Sequence, residues 1–206
     1  QWETDTDTGL PVAATSQDGH PVGFPRTDDG AAATVVELNR AQIGLDYADA
    51  VTTIRTYAAE TDQAFFDDRA TSAIAQRRED LGVPVDDGGD DVDVLAPAGY
   101  AQTPTGYQVE EYGPDRYLVS VINEVTATTA SGQVQRSAYV GQQLVAWNPD
   151  TDRGGVGGDW ELVEPSAEDR DRLLATDPPA TAALGTPEFE QAGWTPLLES
   201  STNSSS

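Results

Sequence analysis

Carboxylates and hydroxyls are the side chains best supplied for chemistry in this 206-residue sequence. It holds 36 Asp and Glu, 11 arginines and a single histidine, His20, with no lysine, cysteine or methionine. Without cysteine there is no disulfide, thiol nucleophile or zinc–thiolate site, and one histidine excludes a two-histidine metal site. The formal net charge of −25 argues against nucleic acid and anionic membranes as partners, because both are bound through clustered cations.

Oxygen ligands for calcium are one kind of site that this composition allows. Asn148, Asp150 and Asp152 alternate along a turn-rich stretch, and Asp159 stands twelfth, where an EF-hand loop places a bidentate carboxylate. Arg153, however, occupies the position that requires glycine, and strands rather than helices are predicted on both sides. The pattern favours a plain hairpin loop, with a calcium site at Asn148, Asp150, Asp152 and Asp159 as the alternative.

Other motifs favour structure over chemistry. The acidic run 86–93 could also ligate calcium, but it occurs once, and we expect a solvated connector. His20 lies between Gly19 and Pro21 and gains no rigid support there, so we interpret it as a surface or linker residue. The glycine-rich run 154–158 lacks the Lys-Ser/Thr ending of a phosphate loop. We therefore assign no catalytic residue.

Apolar spacing predicts three helices before residue 83. Thr27 supplies an N-cap for a helix that continues through 31–42, and the next two helices cover about 47–60 and 61–81. Gly82 and Pro84 end the third helix. Helices therefore occupy about 27–82, separated from the rest of the chain by the acidic connector.

Beyond the connector the apolar period changes to two, which predicts strands at 106–112, 117–129, 133–147 and 159–163. Short turns between them favour an antiparallel meander within about 105–164. Trp147 and Trp160 would be neighbours on paired strands, and we expect them to pack on the core rather than to stack on a ligand.

The predicted organisation is one α+β domain with flanking segments. Residues 1–26 are an extended leader in which prolines disfavour regular structure, 27–198 form the domain, and 199–206 are a disordered Ser-rich tail. Within the domain, 165–198 contains a short helix at 168–174 and apolar residues that pack back onto the body. No apolar stretch is long enough for a transmembrane helix.

The order of these elements resembles the cystatin-like cone of the nuclear transport factor 2 superfamily, in which N-terminal helices pack on a curved antiparallel sheet. More narrowly, it resembles exported domains of actinobacterial proteins associated with mobile elements and conjugation. The residues that carry the resemblance are Val22-Gly23-Phe24-Pro25-Arg26-Thr27, Gly30-Ala31-Ala32-Ala33, Val145-Ala146-Trp147, Gly158-Asp159-Trp160-Glu161-Leu162 and Ala192-Gly193-Trp194-Thr195-Pro196.

The resemblance implies a non-enzymatic, extracytoplasmic domain that makes protein–protein contacts in an envelope-associated complex such as a type IV secretion machinery. The expected partners are other proteins, either further copies of the chain or components of a membrane complex, and no cofactor is expected. The protein would be secreted, or anchored by a segment that this chain does not contain.

Two alternatives remain open. Cone folds often hold a pocket between helices and sheet, which would make this a ligand-binding or enzymatic protein. Its candidate lining residues are the aromatics of the predicted inner faces, Tyr47, Tyr57, Phe65, Phe66 and Tyr139. The acidic, lysine-free composition also suits a salt-adapted surface or virion protein of a halophile.

Overall fold

The computed structural model describes residues 2–12, 15–85 and 97–198. The acidic run 86–93 and the tail 199–206, and with them the predictions of a solvated connector and of disorder, lie outside the described residues. Within the described residues the protein is α+β, as predicted. Helices both precede and follow the main sheet along the sequence. No helix in this part of the chain is long and apolar enough to cross a membrane.

Three helices precede the sheet, and each begins or ends at the residue that its local chemistry favours. They are α1 (Asp28–Ala41), α2 (Tyr47–Tyr57) and α3 (Gln63–Leu81), with a 3₁₀ turn at Glu60–Asp62. The Thr27 side chain accepts the Gly30 N–H, and the Asp46 side chain accepts the Asp49 N–H. Gly82 ends α3 in the left-handed conformation, at φ 69°.

The segment predicted as an extended leader forms two short antiparallel hairpins. Strands β1 (Glu3–Thr4) and β2 (Pro11–Val12) pair, as do β3 (Thr15–Gln17) and β4 (His20–Val22). Asp18 and Gly19, both with positive φ, make the tight turn between β3 and β4. The prolines fit because these two-stranded hairpins have only edge strands, where a missing N–H costs little.

The main sheet is antiparallel, with strand order β8-β7-β6-β5-β9. Its strands are β5 (Gly99–Gly113), β6 (Arg116–Thr128), β7 (Val134–Asn148), β8 (Asp159–Leu162) and β9 (Thr195–Pro196). The meander is confirmed, but β5 begins seven residues earlier than predicted. Trp147 and Trp160 are register partners with ring centroids 5.5 Å apart, so they are the predicted cross-strand neighbours.

Other segments pack on both faces of the sheet. Successive side chains of each strand point to opposite faces, so each strand contributes to both. Val119, Val121 and Val145 point to the helix face, where they pack with α1 in the main core. Ile122 points to the outer face, where Phe189 and Trp194 of the C-terminal segment bury it. That segment holds α4 (Ala167–Ala175) and α5 (Pro187–Gln191) and returns to the sheet as β9. Within 165–198, Phe189 and Trp194 and the strand β9 thus lie against the sheet.

Candidate functional site

One edge of the main sheet is open along most of β7. Strand β6 pairs with β7 from Val134 to Ala146, whereas β8 reaches only Val145–Asn148 on the other side. Among the described residues, no other strand pairs with 134–144. The N-terminal two thirds of β7 therefore form the open edge, a name we keep for residues 134–143.

The direction of the main-chain groups along the open edge follows from two hydrogen bonds near its end. The Trp147 N–H donates to the Asp115 carbonyl beside β6, and the Val163 N–H donates to the Leu144 carbonyl on the opposite side. Because these directions alternate along an antiparallel strand, even-numbered residues turn their N–H and C=O away from β6. Those residues are Val134, Arg136, Ala138, Val140 and Gln142, and no described residue hydrogen-bonds their main-chain groups on that side.

The other edges of the sheet are closed or disrupted. Along β8, Ala58 forms a bridge with Leu162, and the Ala59 N–H donates to the Leu162 carbonyl. Along β5, β9 pairs with Gly106 and Tyr107, and bulges follow Pro104 and Glu111. Proline and bulges are devices by which proteins prevent unwanted pairing at a sheet edge.

The open edge of β7 carries none of those devices. Residues 134–143 contain no proline and no carboxylate, and their only charge is Arg136. Their register with β6 is continuous, without a bulge. Val134 and Tyr139 expose 62% and 51% of their surface. In a chain with 36 acidic residues, this regular edge without a carboxylate is the part of the sheet best suited to accept another strand.

Arginines without an acidic partner lie around the same strand. Seven of the eleven arginines form an ion pair with Asp or Glu among the described residues: Arg26, Arg40, Arg55, Arg116, Arg153, Arg170 and Arg172. The four others, Arg69, Arg77, Arg78 and Arg136, form none with any described residue. Arg78 is buried and donates to the Leu45 carbonyl. Arg136 lies on the open edge itself, and Arg69 and Arg77 lie beside it.

Arg69 and Arg77 line a small groove between the helices and β7, which we call the arginine groove. Its walls come from α3, from Asp49 and Ile54 of α2, and from Tyr139 and Gln143 of β7, and it encloses about 90 Å³. The Arg77 guanidinium lies 4.1 Å from the centroid of the Tyr100 ring, and that of Arg69 lies 5.6 Å from the Phe65 ring. Rings hold both cations in place without neutralising them.

A larger groove lies on the outer face of the same strand. It encloses about 600 Å³, and its lining includes Arg136 and Ala138 of β7, Glu124 and Thr126 of β6, and residues 181–183 of the C-terminal segment. Side chains of a strand added to the open edge would alternate between this groove and the arginine groove.

The five aromatic residues predicted to line a pocket are distributed differently. Tyr47, Tyr57 and Phe66 are buried, and Phe65 packs partly buried against the main core. Burial raises the pKa of the Tyr57 hydroxyl, which has no hydrogen-bond partner among the described residues. Only Tyr139 lines the arginine groove. Helical spacing identified the buried faces of α2 and α3 rather than a cavity, because core and pocket residues follow the same period.

The residues considered for calcium have partners within the protein. The Asp159 carboxylate is buried and accepts main-chain N–H bonds from Gly23, Phe24 and Trp160. The Asn148 amide donates to Glu161, whose carboxylate also receives Arg153 at 2.9 Å. These contacts favour the hairpin interpretation, although calcium binding itself stays a prediction.

Asp150, Asp152 and the single histidine complete the predicted positions. The Asp150 main-chain N–H donates to the Asn148 side-chain oxygen at 3.0 Å. Asp152 accepts the Gly157 N–H within the loop between β7 and β8. His20 lies half-buried in β4, 6.4 Å from Tyr57 between ring centroids. Across the described ranges, no group of three or more His, Cys, Asp or Glu side chains is arranged to hold a metal ion.

The fold and the site together define a class: an α+β protein whose antiparallel sheet keeps one carboxylate-free edge open beside arginines that form no ion pair among the described residues. No protein-family model matches the chain, and comparison with curated proteins and with solved structures also found no match. The function therefore has to be argued from the geometry of the open edge and its two grooves.

Proposed function

We propose that this protein is a non-enzymatic docking domain that binds an extended segment of another protein by strand addition to the open edge of β7. The observation that carries the proposal is the contrast between the edges of one sheet. β8 and β5 are covered, bulged or interrupted by proline, whereas residues 134–143 are regular, free of carboxylates and paired only with β6 among the described residues.

Strand addition uses main-chain hydrogen bonds for affinity and side-chain pockets for specificity. The outward N–H and C=O groups of Arg136, Ala138, Val140 and Gln142 supply the first part. The arginine groove and the outer groove, one on each face of β7, supply the second. A flat sheet face would offer no such pair of pockets.

The volumes favour docking over the binding of a small ligand. Pockets for small molecules usually enclose roughly 300–1,000 Å³ and bury most of the ligand. The groove between helices and sheet encloses about 90 Å³, and the larger one lies open on the outer face. The ligand-binding alternative has therefore no enclosed aromatic pocket to rest on among the described residues.

The setting of this docking function is proposed from the sequence. The resemblance to exported conjugation-associated domains, carried by residues such as Phe24, Trp160 and Trp194, supports an extracytoplasmic place in an envelope-associated complex and a cystatin-like cone as the finer fold. The salt-adapted surface or virion protein of a halophile remains the alternative setting, supported by the net charge of −25.

A peptide library tests strand addition directly. Random decapeptides displayed on phage would be selected for binding to the purified protein. The affinity of each selected peptide would then be measured for wild type and for the Ala138→Pro and Ala138→Thr variants. Proline removes an outward N–H and no bond to β6, whereas threonine keeps the N–H and matches the change in side-chain size. We expect Ala138→Pro to weaken binding at least about tenfold and Ala138→Thr to leave it nearly unchanged, since only the former loses a main-chain donor.

Hydrogen exchange supplies the second readout. Bound peptide should slow exchange at the amides of Arg136, Ala138, Val140 and Gln142 more than at the odd-numbered amides, which already bond to β6. Failure to select any peptide, or equal binding by wild type and Ala138→Pro, would show that the open edge is not a docking site.

A further inference from the structure

We infer that the segment that docks on β7 is acidic, with two carboxylates four residues apart that pair with Arg69 and Arg77. This inference rests on the proposed strand addition and specifies the chemistry of the partner. It starts from the arginines that form no ion pair with a described residue, two of which line the groove that an added strand would face.

The register of an added strand places its side chains. Residues directly opposite each other on neighbouring strands point to the same face of a sheet. Partner residues opposite Tyr139 and Gln143 would therefore point to the helix face, into the side on which α3 presents Arg69 and Arg77.

The spacing of the two arginines along α3 agrees with the spacing of two residues along β7. Arg69 and Arg77 are eight residues apart on α3, about 12 Å along the axis at 1.5 Å per residue. Tyr139 and Gln143 are four residues apart on β7, about 13 Å at 3.3 Å per residue. Two partner side chains opposite these β7 residues would thus be about as far apart along the strand as the two arginine positions are along α3.

The charges of the groove select a carboxylate as the complement. A guanidinium binds a carboxylate through two parallel N–H bonds, and this geometry is stronger than a neutral hydrogen bond. Asp49 is the only carboxylate that lines the arginine groove among the described residues, and it forms no ion pair with either arginine there. A bound acidic segment would supply what these two cations lack.

The same reasoning disfavours a second copy of this chain as the occupant. If two open edges paired with each other, residues 134–143 of the partner copy would face the groove, and they contain no Asp or Glu. Such a pairing would leave Arg69 and Arg77 without carboxylates. A different protein with an acidic strand satisfies both the main chain and the charges.

The decapeptide selection tests this inference when it is repeated on an Arg69→Gln/Arg77→Gln variant. Wild type should enrich peptides with Asp or Glu at two positions four residues apart, and the variant should not. In a selected peptide, both acidic residues would be replaced by the corresponding amides, Asn or Gln. This replacement should weaken binding to wild type at least about tenfold and binding to the variant less than about twofold, which is the result expected when the acids and the arginines interact directly. Arg170→Gln/Arg172→Gln, with the same change in charge on α4 and outside both the arginine groove and the outer groove, is the matched control and should behave as wild type.

The outcomes separate the inference from the proposed function. Peptides that depend on the Ala138 N–H but show no acidic preference would overturn the inference and leave strand addition standing. Peptides that bind wild type and Ala138→Pro with equal affinity would overturn both the inference and strand addition. If light scattering shows a dimer of the full chain that Ala138→Pro dissociates, a second copy occupies the edge and the acidic partner is wrong.

Discussion

Two buried carboxylates show how single acidic residues act in this protein. Asp159 accepts three main-chain N–H bonds and thereby joins the N-terminal segment to β8. Burial nevertheless raises the pKa of Asp159, since desolvation outweighs those bonds and Arg153. Asp169 has the opposite balance, because the hydrogen bond from Arg116 lowers the pKa of Asp169 to about 2. Both residues contribute to structure, and neither faces the open edge.

The lowered pKa of Asp169 predicts that part of the free energy of unfolding depends on pH. Its folded pKa of about 2 lies below the value of about 3.9 for an unfolded aspartate. Its stabilising contribution is therefore present above pH 4 and is lost as the pH falls toward 2. We expect Asp169→Asn to lower the free energy of unfolding at pH 6, with a difference from wild type that shrinks between pH 4 and 2.

Urea unfolding at a series of pH values measures that difference. Arg116→Gln removes the partner at 2.8 Å and should reproduce the same pH dependence. A difference between wild type and Asp169→Asn that stays constant from pH 6 to pH 2 would contradict this account of the ion pair.

At the scale of elements, the C-terminal segment decides which parts of the sheet are covered. Phe189 and Trp194 bury Ile122 on the outer face, and β9 closes part of the β5 edge. The segment approaches so closely that a Cβ on Gly106 would lie 2.6 Å from the Phe189 ring and 2.9 Å from the Thr195 carbonyl oxygen. Glycine at 106 is thus a packing requirement of the segment.

Gly106→Ala should therefore loosen the C-terminal segment. We expect a loss of about 1–3 kcal/mol in the free energy of unfolding, because overpacking forces the ring or the main chain to move. Gly99→Ala, in the same strand with no atom within 4 Å of its Cβ, is the matched control and should change stability by less than about 1 kcal/mol.

Urea unfolding measures the stability of both variants. Limited proteolysis measures the loosening of the C-terminal segment, and we expect faster cleavage between α4 and β9 in Gly106→Ala. Equal stability and equal cleavage rates in the two variants would mean that the segment does not need the close approach at Gly106.

Charge is the property that acts on the whole molecule. The net charge is −25, and seven of the eleven arginines are already engaged in ion pairs among the described residues. Most carboxylates thus repel one another through solvent. Three of the four arginines that form no ion pair among the described residues, Arg69, Arg77 and Arg136, lie on or beside β7, so the charge distribution is locally favourable to an acidic partner despite an unfavourable total.

Salt should stabilise the whole protein by screening that repulsion. The Debye length falls from about 30 Å at 0.01 M to about 3 Å at 1 M ionic strength. We expect the unfolding temperature to rise from 10 mM to 500 mM KCl and then to level off, as followed by circular dichroism, while sucrose of equal osmolality separates screening from exclusion effects. A midpoint that does not rise up to molar KCl would dismiss salt adaptation, and one that keeps rising would favour it.

Local patterns in the sequence determined the helices, the meander and the places where elements end. Thr27 and Gly82 act through their own main-chain neighbourhood, and the period-two spacing of β6 and β7 describes burial on the two faces of each strand. Trp147 and Trp160 were predictable as partners because a hairpin joins them. The leader was misjudged, since its prolines fit the edge strands of short hairpins.

Only the tertiary structure decided where the docking site lies. An open edge is defined by which strand is missing beside β7, and the short β8 leaves residues 134–143 without a described partner strand on that side. Likewise, nothing local distinguishes Arg77 from Arg55: one meets the Tyr100 ring and the other meets Asp67. Hydrogen bonds and ion pairs between residues far apart in the chain depend on how the elements pack, and single-sequence periodicity does not record that arrangement.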